Sequence, residues 1–281
     1  MNTLILGLIA ALAWGFHDFL VRFITQKTPI GASILTVLVI GLGFQLAITF
    51  GTQSFEPLQP GALRMMLGAG VFFVIANWGL YGAFQRGPVW LAAPVVACFS
   101  VMSVALAAIL GASISLDQWL AVAVVLLGIT IVSSMSQDDD TETPSKGLTV
   151  IYALVSAVGF AGTFAFGQAA TELSNEMLSA LLTRLVAIGV MIGVLFVFRL
   201  PFWPGREALW VLALMGLADC IAILSIVSAG GLPNPEYTSV ATSMYGLPAI
   251  WFAATFLKET MNWRQWVGCV VAFAGVGYLA L

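Results

Sequence analysis

The chain reads as an all-α integral membrane protein: ten transmembrane helices in two inverted five-helix repeats around a central cavity. Three observations predict this. Hydrophobic residues make up 60% of the sequence and charged residues only 8%, with a mean hydropathy of +1.03, whereas a soluble domain carries roughly a quarter charged residues. The apolar residues run in segments about one bilayer thick. The first five segments and the last five resemble each other in order.

A spanning helix needs roughly 20 apolar residues. Segments of that kind lie at 3–26, 30–51, 62–85, 89–111, 117–136, 147–171, 176–199, 206–230, 236–257 and 263–281. The joins carry turn chemistry. Thr28-Pro29 closes the first span, Glu56-Pro57 to Pro60-Gly61 separates the second from the third, Gly87-Pro88 opens the fourth, and Pro233-Asn234-Pro235 precedes the ninth. Proline cannot donate to a helix, and the residue before it leaves the helical region. The first apolar run is too long for a cleavable signal peptide and continues into further spans. The polar stretch from Gln137 to Lys146 includes Asp138, Asp139, Asp140 and Glu142. It reads as a solvated linker at 137–146, dividing a first repeat at 1–136 from a second at 147–281.

The two halves carry matching residues. Ala13-Trp14-Gly15-Phe16 matches Ala157-Val158-Gly159-Phe160 in each first span. Pro88 matches Pro235, Asp117-Gln118-Trp119 matches Arg264-Gln265-Trp266, and Gly128 matches Gly275, all at one offset. Five spans per unit force the second copy to insert upside down. Inverted repeats of this kind build many secondary transporters, with the substrate site near the midplane.

Here the chain resembles the drug/metabolite transporter superfamily, in its ten-helix EamA-type branch. The closing element Leu257-Lys258-Glu259, with Gln265 and Gly268 following, is similar to that branch's Leu-Gly-Glu, Gln, Gly pattern, with Lys258 in place of glycine. The first half has Leu110-Gly111-Ala112, without the acid. Within the branch the chain looks most like the YddG-type exporters of aromatic and other amino acids. The resemblance implies export of small amphipathic metabolites, amino acids among them, by alternating access.

Polar groups inside a bilayer are costly and mark candidate sites. His17, the only histidine, can titrate in the physiological range. Asp18 and Arg22 are spaced i, i+4 and can pair on one helix face. Asp219 lies mid-span with no opposite charge within a turn, so it either faces the cavity or pairs with another helix, Arg184 being one candidate. His17, Asp18 and Asp219 are therefore the candidates for coupling. Trp14, His17, Asn77, Trp78, Tyr81, Ser100, Phe160, Thr163, Phe164, Ser243 and Tyr245 are expected to line a substrate cavity, since aromatic walls with a few aimed polar groups describe a small-molecule pocket. Hydroxyl and aromatic packing between helices gives the same pattern. Gly189 and Gly193 form a GxxxG that suits close helix packing, within the bundle or in a weak homodimer.

Other classes fit less well. The chain has no phosphate-binding G-x-x-x-x-G-K loop and no H-E-x-x-H helix, and Cys98, Cys220 and Cys269 lie singly in separate spans. An enzyme, a metal site and a cofactor are not expected, and neither is a nucleic-acid partner. A passive channel or facilitator is the alternative to a carrier. Arg22, Lys27, Arg86, Lys146, Arg199, Arg206, Lys258 and Arg264 fall on one side of the ten-span map, and Arg64, with Arg184 if it snorkels, on the other. The positive-inside rule puts the basic side in the cytoplasm of an inner membrane, with both termini outside. Trp90, Trp119, Trp203, Trp210, Trp263 and Trp266 fall near span ends, where interfacial anchors belong.

Overall fold

A computed structural model describes residues 3–52, 58–111, 113–134, 146–229, 232–233 and 236–281. The linker at 137–145, Glu56, Pro57, Ala112, Asn234 and Pro235 lie outside the described residues.

The described chain is all-helical. The first half comprises α1 (Thr3–Ile24), α2 (Ile30–Thr52), α3 (Ala62–Arg86), α4 (Val89–Val96), α5 (Phe99–Ile109) and α6 (Leu116–Ser134). The second comprises α7 (Lys146–Thr171), α8 (Glu176–Val197), α9 (Leu209–Ala229), α10 (Glu236–Ser243), α11 (Gly246–Phe256) and α12 (Trp263–Leu279). Seven stretches among the described residues are long and apolar enough to cross a membrane, counting α4 and α5 as one.

The fourth and ninth spans are not continuous helices. Pro94 lies inside α4, where it cannot donate to the carbonyl of Trp90. That carbonyl instead accepts from the thiol of Cys269 at 3.7 Å. In the ninth span the chain breaks between Ser243 and Gly246, just ahead of Pro248. The Met244 carbonyl that Pro248 leaves free accepts from the Leu247 N–H at 2.9 Å.

Packing repeats between the halves. The first span, α1, packs on α9 of the eighth span, and α7 of the sixth packs on α3 of the third. The helix α1 also lies along α10 and α11, as α7 lies along α4 and α5. The helix α2 packs on α9 and α8 on α3, while α6 and α12, the last helix of each half, pack on each other. Helices in lipid gain no hydrophobic drive from meeting, so small residues must allow close van der Waals approach. The α6–α12 seam does this with the repeated pair Gly128 and Gly275. A Cβ on Gly128 would lie 2.3 Å from the Ala272 nitrogen, and one on Gly275 would lie 3.0 Å from the Ala121 carbonyl oxygen.

Two further details carry the repeat. Asn262 and Gln265 form a reciprocal capping box at the start of α12, each side chain bonding the other's backbone N–H at 2.9 Å. Ser115 and Gln118, at the corresponding positions, do the same before α6 at 3.3 and 3.0 Å. This satisfies orphan N–H groups at both helix starts. Gly111 and Lys258 also correspond, and both have positive φ, at 93° and 55°. A residue in the left-handed region commonly ends a helix, and glycine takes it without a Cβ penalty. Lys258 therefore occupies a position whose geometry favours glycine. Lys258→Gly is expected to stabilise the protein by about 1 kcal/mol, the left-handed penalty less the entropy glycine adds to the unfolded chain. Thermal unfolding in detergent measures it, and a destabilised variant would contradict the strain argument.

Trp119, Trp203, Trp210 and Trp263 are exposed, as interfacial anchors would be, while Trp90 and Trp266 pack partly against the core. All three cysteines are buried and free. Among the described residues nothing lies within 4 Å of a Cβ built on Gly189 or Gly193, so their GxxxG packs against no described helix.

Candidate functional site

The polar side chains of the bundle gather around α1. Trp14 and Asp18 are one turn apart, on the same face of that helix. The indole N–H of Trp14 donates to Asp219 Oδ1 on α9 at 3.1 Å. The other oxygen of Asp219 accepts from Arg184 Nη2 on α8. Arg184 is buried, and its guanidinium occupies the space that a side chain on Gly41 of α2 would fill. Of the two roles left open for Asp219, the geometry supplies the interhelical partner. An opposite charge and a hydrogen bond are what a buried ion needs.

One step along α1, His17 Nδ1 lies 3.1 Å from Asp18 Oδ1. With Asp18 ionised, that nitrogen must carry the proton, since a carboxylate only accepts. The ring of Tyr81 on α3 stands edge-on to His17 at 6.4 Å, and Tyr245, between α10 and α11, stands edge-on to Trp14 at 6.2 Å. Trp14, His17, Asp18, Tyr81, Tyr245 and Asp219 thus join Arg184 in one cluster drawn from five spans. A cavity of about 10 Å³ adjoins Arg184, lined by Gln45, Ile48, Met177, Cys220, Ile223 and Leu224. It has room for about one water molecule.

The remaining candidates lie in other settings. Phe160 and Phe164 on α7 form an aromatic group with Phe99 of α5, the Phe99–Phe164 centroids being 5.2 Å apart, and Phe73 of α3 joins Phe160 at 6.5 Å. The matched Phe16 packs with Phe252 of α11 at 5.7 Å, so the first span of each half meets the second part of a broken span through phenylalanine. Asn77 donates to the Phe73 carbonyl at 2.8 Å, Thr163 to Gly159 at 2.8 Å, Ser100 to Ala97 at 3.0 Å and Ser243 to Val240 at 2.7 Å. Each of these bonds stays within its own span. The ring of Trp78 lies beside Gly31 of α2, next to Leu195 and Met191 of α8.

The expected Asp18–Arg22 pair does not form. Arg22 Nε donates instead to Glu259 Oε1 at 3.0 Å, and its Nη1 donates to the carbonyls of Phe84 and Gln85 at 2.9 and 3.3 Å. Those carbonyls belong to the last turn of α3, which offers acceptors with no intrahelical donor. Glu259 Oε2 in turn accepts from the Val89 N–H at 2.8 Å, at the positive start of α4. One ion pair therefore caps two facing helix ends and ties α1, α3, α4 and the α11–α12 connection together at the linker end. Burial pushes the Glu259 carboxyl up from its ordinary value, more than Arg22 and the Val89 N–H pull it down. Glu259 is the acid of the closing motif, and that was the sequence signal for this latch. Among the described residues no group of three or more His, Cys, Asp or Glu could hold a metal ion.

The geometry meets a clear family assignment. Residues 1–134 and 147–281 each match the model of the EamA-like transporter family. The chain belongs to the EamA-like transporter family, within the drug/metabolite transporter superfamily, and carries two copies of its repeat. It is a multi-pass membrane protein of a transporter family, not of an enzyme family. A solved crystal structure superposes on it with a TM-score of 0.66 at 14% identity, covering 98% of this chain and 94% of the other, which shows a shared fold. Among curated proteins no match is found.

Proposed function

We propose that the protein is a secondary transporter exporting small amphipathic metabolites, amino acids including aromatic ones, by alternating access, in the manner of YddG-type exporters. The observation that carries this reading is the cluster itself. Paired opposite charges and aromatic rings from both repeats converge on α1, and that combination suits a solute with polar and aromatic parts. Trp14, His17, Asn77, Trp78, Tyr81, Ser100, Phe160, Thr163, Phe164, Ser243 and Tyr245 are the residues proposed to shape its path. A competition screen tests the substrate class: in proteoliposomes, unlabelled aromatic amino acids should suppress counterflow of labelled phenylalanine more than glycine or lactate does. Equal indifference to all amino acids would remove the amino acid reading.

The proposed orientation places the linker at 137–146 and the Arg22–Glu259 latch in the cytoplasm, both termini outside the inner membrane, and the protein as a monomer or weak homodimer. The basic-side tally supports it. Ser145→Cys should resist a membrane-impermeant thiol reagent in intact cells and react in inverted vesicles. Labelling only from outside intact cells would reverse the orientation.

A further inference from the structure

The end of α8 carries an arginine where glycine would fit better. Arg199 has a φ of 52°, in the left-handed region. The Leu200 N–H donates to the Leu195 carbonyl at 2.9 Å, and the Arg199 N–H donates to the Phe196 carbonyl at 3.3 Å. Those two bonds form a Schellman closure, whose left-handed position is usually glycine. A side chain there strains the backbone, and such strain clusters at ligand sites. The arginine does not gain a protein partner in return. It is exposed and forms no ion pair among the described residues.

A cavity of about 510 Å³ opens at this same turn, lined by Leu195, Phe196, Val197, Arg199, Leu200 and Phe202. One cation thus stands at the rim of an otherwise apolar hollow. The helix α8 is long and apolar enough to cross the membrane, and Arg199 lies just past its last residue. Trp203 and Trp210 follow and are exposed, as side chains at headgroup level are. The cavity therefore lies where acyl chains meet headgroups. The α8–α9 connection carries Arg199, Arg206 and a single acid, Glu207, so it is positive. Val197 shares a face of α8 with Gly193 and Gly189, one and two turns away, and nothing described packs on those glycines. We propose that the cavity binds one anionic phospholipid, with the phosphate at Arg199 and an acyl chain against Phe196, Val197 and the bare glycine face of α8. A guanidinium fork matches phosphate oxygens. A zwitterionic headgroup would bring another cation toward Arg199 and Arg206, so the site favours a net negative one. Free phosphate would leave the apolar lining exposed.

Lipid titrations of the purified protein in detergent test this. Phosphatidylglycerol should raise the unfolding temperature of wild type saturably, and native mass spectrometry should retain one such lipid per chain. Phosphatidylcholine with the same acyl chains should bind more weakly. Glycerol phosphate should have no effect, which separates a lipid from its headgroup alone. Glycine suits this turn, so Arg199→Gly should fold and unfold without lipid at or above the wild-type temperature. It should bind phosphatidylglycerol at least about fivefold more weakly, the weight of one basic residue near an anionic lipid surface. Arg264→Gln removes a basic residue of the same side at the start of α12, and should keep the wild-type affinity. Equal affinity of wild type and Arg199→Gly for phosphatidylglycerol overturns the proposal. Equal weakening by Arg264→Gln also overturns it, since general surface charge would then account for the binding. So does equal binding of the two lipids, or a response to glycerol phosphate as large as that to the lipid.

Discussion

Asp219→Asn is expected to destabilise the protein by about 3–5 kcal/mol, the cost of leaving a buried partner charge uncompensated. Arg184 is the partner, and it is buried on α8 with its second amino group, Nη1, unpartnered among the described residues. An amide in place of the carboxylate keeps the shape and can still accept from the Trp14 indole, so the loss isolates the charge. Arg184→Gln in the Asp219→Asn background should recover much of the stability, because replacing both members of a buried pair removes the desolvation cost along with the attraction. Thermal unfolding of the single and double variants in detergent forms the cycle. If Asp219→Asn keeps wild-type stability, the ion pair does not hold α8 to α9.

Gly15→Val is expected to prevent correct assembly of α1 against the broken ninth span. A Cβ at Gly15 would lie 2.6 Å from the Pro248 Cβ and 2.7 Å from the Tyr245 carbonyl oxygen. Neither neighbour can rotate away, since one is a ring and the other is backbone. Overpacking of this kind costs at least about 1–3 kcal/mol, and α1 would have to move off the broken span that carries Tyr245 to the cluster. Gly189→Ala is the matched control. Its Cβ meets nothing within 4 Å among the described residues, so the helix should gain up to about 1 kcal/mol from the better helix former. Yields of monodisperse protein should fall sharply for Gly15→Val and hold for Gly189→Ala. Equal yields would mean that the α1–α11 contact is not needed for assembly.

Much of this was legible in the sequence. Apolar run length located the spans, because the bilayer fixes the length a helix needs. The single offset linking Gly128 to Gly275 and Gln118 to Gln265 announced the repeat, and the structure puts those residues at one seam and in paired capping boxes. The interruptions at Cys98 and Met244 were less visible. Pro94 and Pro248 were the signal, but a proline can also sit in a kinked yet continuous helix, and hydropathy alone does not separate the two. The polar cluster on α1 was legible in part. Trp14, His17, Tyr81 and Asp219 stood out by depth and polarity. The i, i+4 spacing of Asp18 and Arg22 pointed to the wrong pair, because helical spacing shows which groups can meet and not which better partners come from elsewhere. Arg22 found the free carbonyls of α3 and the carboxylate of Glu259, more than two hundred residues away in the chain.

In the proposed function the cluster on α1 is the substrate site of a carrier. Counterflow in proteoliposomes, comparing wild type with Trp14→Ala, tests it most directly. Trp14 touches both Asp219 and Tyr245, so its loss should weaken the apparent affinity for labelled phenylalanine by about tenfold, equivalent to roughly 1.4 kcal/mol, while the variant stays monodisperse. Wild-type flux should saturate with solute concentration. Linear, non-saturating flux in wild type, or unchanged affinity and rate in Trp14→Ala, would contradict the account.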